Sequence, residues 1–153
     1  MTQEEKQLLL QDLCARLPYG VKVENTSFSE PQVHTLFGRV SDDEFLMLET
    51  YKSVGGEDYR RVTDDVHYTG YLESIKPYLR PMSSMTMEEV KYKLSKFFKI
   101  INTKIEGIGY VPILNSGSAI KYINWLNENH FDYNRLIEKG LALEAPKGMY
   151  KTE

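Results

Sequence analysis

The stretch Leu17-Pro18-Tyr19-Gly20 divides two kinds of hydrophobic spacing, and that switch constrains the fold more than any other feature of the chain. Before it, Leu9, Leu10, Leu13, Cys14 and Leu17 recur at the three- and four-residue steps of an α-helix. Thr2, followed three residues later by Glu5, forms a capping box, so the pattern predicts a helix over 3–16 that Pro18 and Gly20 stop. After the switch the apolar residues fall in short alternating or β-branched runs: Val21 and Val23, then Val33, Leu36 and Val40, then Phe45, Leu46 and Leu48. Asn25-Thr26-Ser27 and Ser41-Asp42-Asp43 supply turn chemistry between these strands and favour antiparallel hairpins. Gly55-Gly56-Glu57-Asp58 marks another turn, and Tyr59, Arg61, Thr63, Val66, Tyr68 and Tyr71 offer one or two further strands. A strongly bent antiparallel sheet or a small barrel is therefore expected.

Lys76-Pro77-Tyr78-Leu79-Arg80-Pro81-Met82-Ser83-Ser84 carries two prolines and reads as a hinge between an N-terminal part, 1–80, and a helical C-terminal part, 81–153, packed as one compact unit. Thr86 and Glu89 form a second capping box ahead of the stripe Val90, Leu94, Phe97, Phe98 and Ile101, predicting a helix over 87–101. Gly107, Gly109 and Pro112 break the pattern. A third helix begins near Ser116 or Ser118 and runs to about Asn129, with Ala119, Tyr122, Ile123, Trp125 and Leu126 on a wide apolar arc. Asp132 is placed to cap a short fourth helix, with Phe131 and Leu136 as a hydrophobic staple. Gly140 ends it, and Leu141 folds back in a Schellman-type stop. The fold class expected is α+β.

Length and composition narrow the functional classes. At 153 residues the chain can bury one good core. Its longest apolar runs fall far short of the roughly 20 residues that cross a bilayer, and Met1-Thr2-Gln3-Glu4-Glu5 lacks the basic start of a secretory signal, so a cytoplasmic protein is expected, without membrane partners. The single cysteine, Cys14, fits a reducing compartment. Charge is uneven: residues 1–50 carry 4 Lys and Arg against 9 Asp and Glu, whereas residues 51–104 carry 10 against 7. Neither imbalance reaches the scale of a nucleic-acid footprint; complementarity inside one fold is the favoured reading of both, and two faces presented to partners is the alternative.

Three segments carry a resemblance: 8–21 (Leu8-Leu9-Leu10 through Val21), 75–86 (Ile75-Lys76-Pro77-Tyr78 through Thr86) and 130–150 (His130-Phe131-Asp132-Tyr133 through Tyr150). Together they are similar to a family of small phage and prophage proteins of gut bacteria to which no activity is assigned. The resemblance implies a phage context inside a bacterial host and carries over no functional residue.

The chemistry-bearing residues are scattered. His34, His67 and His130 have no second ligand at metal-binding spacing, Asp64-Asp65-Val66-His67 reads as a solvated turn, and no glycine loop has the spacing of a phosphate cradle. Cys14 falls on the apolar face of the first helix, where burial makes a thiol inert. No catalytic residue, metal or cofactor is expected. Tyr122 and Trp125 are candidate partner-binding residues, because these side-chain types anchor protein interfaces. Core packing of a lone tryptophan is the competing reading. Tyr59, Arg60, Arg61, Tyr78, Arg80, Lys96 and Lys99 are candidates for gripping nucleic acid, through rings that stack and cations that neutralise phosphate, although neighbouring acids offset much of that field. The expectation is a non-enzymatic phage or prophage accessory protein that binds a host or phage protein, or itself. Nucleic-acid binding through the basic, tyrosine-rich middle is the alternative.

Overall fold

The computed structural model describes residues 1–27, 32–39, 41, 43–49, 51–52, 58–59, 68–89, 104–105, 109–110 and 116–150. Helix α1, Gln3–Arg16, starts at the expected capping box: the Thr2 hydroxyl accepts from the Glu5 N–H at 3.1 Å, and the Glu5 carboxylate accepts from the Thr2 N–H at 2.7 Å. A 3-10 turn, Leu17–Tyr19, follows, and Gly20 ends it in the left-handed region at φ 64°. There only glycine avoids a Cβ penalty.

Among the described residues ten strands follow in chain order: β1 (Lys22–Asn25), β2 (Gln32–Arg39), β3 (Glu44–Glu49), β4 (Tyr51–Lys52), β5 (Asp58–Tyr59), β6 (Tyr68–Tyr71), β7 (Ile75–Leu79), β8 (Lys104–Ile105), β9 (Gly109–Tyr110) and β10 (Leu143–Glu144). Six form one sheet in the order β10-β7-β1-β2-β3-β6, while β4 pairs with β5 and β8 with β9. The first three strands and both expected hairpins are present, with a bulge in β2 between Leu36 and Gly38. Two expectations are corrected. The sheet is open, with β10 and β6 at its edges, so it is not a barrel, and it is mixed, because β10 runs parallel to β7.

The proline-rich stretch begins as a strand. Residues Ile75–Leu79 form β7, an inner strand held between β1 and β10. Pro77 stands opposite Val23, and the Thr26 N–H donates to Ser74 O at 2.7 Å, which sets the hydrogen-bonded pairs with β1 at the even positions of β7. The donor that Pro77 lacks would therefore point toward β10, a strand of two residues that does not reach that far.

Helix α2, Met87–Glu89, begins at the second capping box, with Thr86 and Glu89 exchanging hydrogen bonds at 2.8 and 3.2 Å. The remainder of the helix expected over 87–101 lies outside the described residues, as do Arg60, Arg61, Lys96, Lys99 and the turn at 53–57. Helix α3, Ser116–Glu128, matches its expected span. Its burial differs from the expected arc at Ile123, which is 45% exposed, beside Ile120 at 64%.

After α3 the described chain is less helical than expected. Residues 133–140 form turns rather than a fourth helix, and Arg135 at φ 59° interrupts any regular one. The local signals nevertheless act. The Asp132 carboxylate accepts from the N–H groups of Leu136 and Ile137 at 2.8 and 2.9 Å. Gly140, at φ 70°, donates to Ile137 O and Leu141 donates to Leu136 O, which is the Schellman pairing. Phe131 and Leu136 are both fully buried but belong to different clusters. The main core joins Leu9 and Leu13 of α1 to Val23, Leu36, Phe45, Ile75 and Leu79 of the sheet and to Leu136 and Leu141. A smaller core gathers Trp125, Leu126 and Phe131, with Met85, Tyr122 and Tyr133 packed against it.

Candidate functional site

The end of β7 organises the polar chemistry of the molecule. Past Leu79 the β1 side of the strand is taken over by residues 130–132: the Arg80 N–H donates to His130 O and the Asp132 N–H donates to Arg80 O, each at 2.8 Å. Where β1 ends and this bridge begins, one side chain fills the gap. The Tyr150 hydroxyl accepts from the Lys22 N–H at 3.0 Å and donates to Tyr78 O at 2.8 Å, satisfying two backbone groups that would otherwise pair with each other. Burial drives its phenol pKa upward, so it remains a donor. Its ring stacks on the His130 imidazole with centroids 3.9 Å apart and planes 25° apart.

His130 is buried and neutral. Desolvation, followed by the charges of Arg16, Arg80 and Lys22, lowers its pKa to about 3, against a weaker opposing hydrogen bond to the Tyr19 backbone. Beneath it lies an ion pair with both side chains fully buried: Arg16 Nε and Nη2 donate to the Asp12 carboxylate at 2.7 and 2.9 Å. Nη2 also donates to Phe131 O at 2.9 Å, and Asn134 donates to Asp12 Oδ1 at 2.9 Å, so α1 is tied to the 130–134 segment through charged groups. On the adjacent side Tyr78 donates to Glu24 Oε2 at 2.6 Å, and burial together with that carboxylate pushes its phenol up to about 12.

Above this floor runs an open groove of about 670 Å³, with Arg80, Pro81, Ser84 and Thr86 on one wall and Glu144, Pro146, Lys147 and Tyr150 on the other. Arg80 forms two hydrogen bonds with the Glu89 carboxylate, at 2.9 and 3.1 Å, and its guanidinium lies 4.1 Å from the Phe131 ring centroid. Burial works to raise the Glu89 pKa, but the hydrogen bonds from Arg80 and Thr86 outweigh it and hold the carboxyl below its ordinary value. Next to the lining residues in the chain, Met82 and Met87 are exposed, Met87 by 81%.

One edge of the groove is unpaired backbone. Leu143 pairs with Tyr78 and Glu144 with Leu79 in parallel register, and the Ala145 N–H donates to Leu79 O at 2.8 Å. That parity turns the main-chain groups of Leu143 and Ala145 toward β7 and those of Glu144 away from it. Among the described residues, the Glu144 N–H and C=O have no partner.

The residues singled out from the sequence are distributed as follows. Tyr122 and Trp125 stack with centroids 6.1 Å apart, but Trp125 is 5% exposed and packs against Phe131, within the smaller core. Tyr78 and Arg80 lie on β7 and at its end, bonded to Glu24 and Glu89. Tyr59 is in β5, and Arg60, Arg61, Lys96 and Lys99 fall outside the described residues. Cys14 is half-buried, with Arg39 donating to its sulfur at 3.9 Å. Sequence reasoning missed Tyr150 and the Asp12–Arg16 pair, weighed His130 only as a metal ligand and read Glu89 only as a helix cap. The pair did leave a signal, as opposite charges at i and i+4 on the same helical face as Leu9 and Leu13. Among the described residues no three His, Cys, Asp or Glu side chains converge as a metal site would need, and no helix is long and apolar enough to cross a membrane. No protein-family model, curated protein or solved structure matches the chain.

Proposed function

We propose that this chain is an accessory protein of a phage or prophage that works by binding another protein, and that its groove receives an extended segment of that partner. The observation that carries this reading is the main chain of Glu144, whose N–H and C=O have no partner among the described residues and lie along the groove, the requirement for adding a strand to β10. Pro146, two residues on and the next position of the same outward parity, has no N–H, so pairing would extend over a single residue and leave selectivity to the walls. Exposed Met82 and Met87 are adaptable apolar contacts for such a segment. The ionisable groups around the groove serve the fold: Arg80 is bound by Glu89, and His130 is neutral beneath Tyr150. Nucleic-acid binding draws no support from Tyr78 or Arg80, whose polar ends Glu24 and Glu89 already engage.

The test is affinity capture from phage-infected or lysogenic cells with the wild-type chain and with Glu144→Pro and Lys147→Glu variants whose folding is confirmed by circular dichroism. Glu144→Pro removes the free donor without touching the β7 ladder. The expected result is one protein captured by wild type and lost by both variants. Equal capture by all three rejects the groove, and recovery of nucleic acid with a steep salt dependence rejects protein binding.

A further inference from the structure

The strand pair that Tyr150 bridges is open at the point where the phenol enters. Glu24 stands opposite Lys76 and Val23 opposite Pro77, so Lys22 and Tyr78 are the next pair. Tyr78 is an even position of β7, where the two residues of an antiparallel ladder exchange hydrogen bonds. The phenol oxygen stands in one of those bonds, accepting from Lys22 N–H at 3.0 Å and donating to Tyr78 O at 2.8 Å. Withdrawal of the ring therefore strands neither backbone group, because the N–H and the C=O are complementary and the hydroxyl passes to water.

Among the described residues, the hydrogen bonds that hold the chain after Ala142 to the sheet lie at its two ends. At one end β10 pairs with β7 and the Ala145 N–H donates to Leu79 O, and at the other Tyr150 is seated between β1 and β7. Between them the Met149 N–H donates to Pro146 O, a local turn with Gly148 at φ 84°, and Pro146, Lys147 and Gly148 are exposed. Burial of the phenol ring and its stack on His130 are what oppose release.

We propose that residues 143–150 form a releasable strap latched by Tyr150, and that on withdrawal of the phenol the Lys22 N–H bonds Tyr78 O directly while the strap leaves the sheet as one unit. Glu144, Pro146, Lys147 and Tyr150 make one wall of the groove, so the groove exists only while the latch is seated. This inference concerns the wall itself and does not rest on what the groove receives.

Native-state hydrogen exchange of the intact chain, followed by nuclear magnetic resonance, tests it without any variant. The expected result is that the Tyr150 hydroxyl and the Ala145 N–H open together, with protection at least about tenfold below that of the Leu36 N–H, which donates to Val21 O in the core. The Lys22 N–H is expected to keep the protection of Leu36. A Tyr150 hydroxyl or an Ala145 N–H as protected as Leu36 overturns the strap, since that group would then be released only when the core opens. A Lys22 N–H that loses protection together with the Tyr150 hydroxyl overturns the direct closure of the ladder.

Discussion

The phenol of Tyr150 and the imidazole of His130 stack at 3.9 Å, while the Tyr150 hydroxyl joins Lys22 N–H to Tyr78 O. A residue near the end of the described chain thus completes a backbone ladder between two strands far from it in sequence. Tyr150→Phe keeps the stacked ring and removes only the bridge, leaving a buried N–H and C=O to find other partners. A loss of about 2 kcal/mol in unfolding free energy is expected. Tyr150→Ala also removes the ring and is expected to cost about 4 kcal/mol. Urea denaturation of the three proteins measures both, and equal stability of Tyr150→Phe and wild type would show the bridge to be unimportant.

The Asp12–Arg16 pair is fully buried, and its energetics are asymmetric. Removing one charge strands the other, so Asp12→Leu and Arg16→Met are each expected to lose about 3–5 kcal/mol. The double variant strands neither charge of the pair and is expected to lie closer to wild type than either single variant. A double-mutant cycle by chemical denaturation reads this coupling, and simple additivity of the two losses would contradict it.

Much of this fold can be read from local spacing because local forces set it. Helix α1, its capping box, the first hairpins, α3, the Asp132 cap and the Schellman stop at Gly140 each depend on residues a few positions apart. The parts that could not be read join residues far apart in sequence. Pro77 looks like a strand breaker until β1 and a short β10 flank it in a way that leaves its missing donor unused. The 133–139 segment has a helix cap and a helix stop, yet Arg135 at φ 59° departs from the helix, and nothing local announces this. The groove is built from Arg80, Glu144 and Tyr150, which only the tertiary fold brings together, so no spacing rule marks it.

His130 gives stability a defined pH dependence. Its pKa is about 3 in the folded chain, against about 6.5 when unfolded, so the unfolded state takes up the proton first as pH falls. Its contribution is whole above about pH 6.5 and declines toward pH 3 by up to about 1.4 kcal/mol per pH unit. Glu89, held below the ordinary carboxylate range, adds nothing to this slope above about pH 5. Unfolding free energies measured at about pH 7, 6 and 5 should fall more steeply for wild type than for His130→Asn, a residue that tolerates the φ of 57° at this position. Parallel slopes would place the titration elsewhere.

Two glycines separate crowding from backbone strain. Gly70 lies in β6, where an added Cβ would meet Met47 Cε at 2.6 Å and both Met47 Sδ and Ile75 Cγ2 at 3.0 Å. Gly140 has nothing within 4 Å of that position but stands at φ 70°. Gly70→Ala is expected to cost about 1–3 kcal/mol through overpacking, and Gly140→Ala about 1 kcal/mol through its left-handed backbone. Their response to a second change distinguishes the causes. In a Met47→Ala background the Gly70 penalty should shrink, because the space it needs has been vacated, leaving only the Ile75 contact. The Gly140 penalty should be unchanged, since no side chain opposes it. Chemical denaturation of the two double-mutant cycles checks the pair. A Gly70 penalty that persists in full would mean that Ile75 or the backbone, and not the methionine, limits the space beside β6.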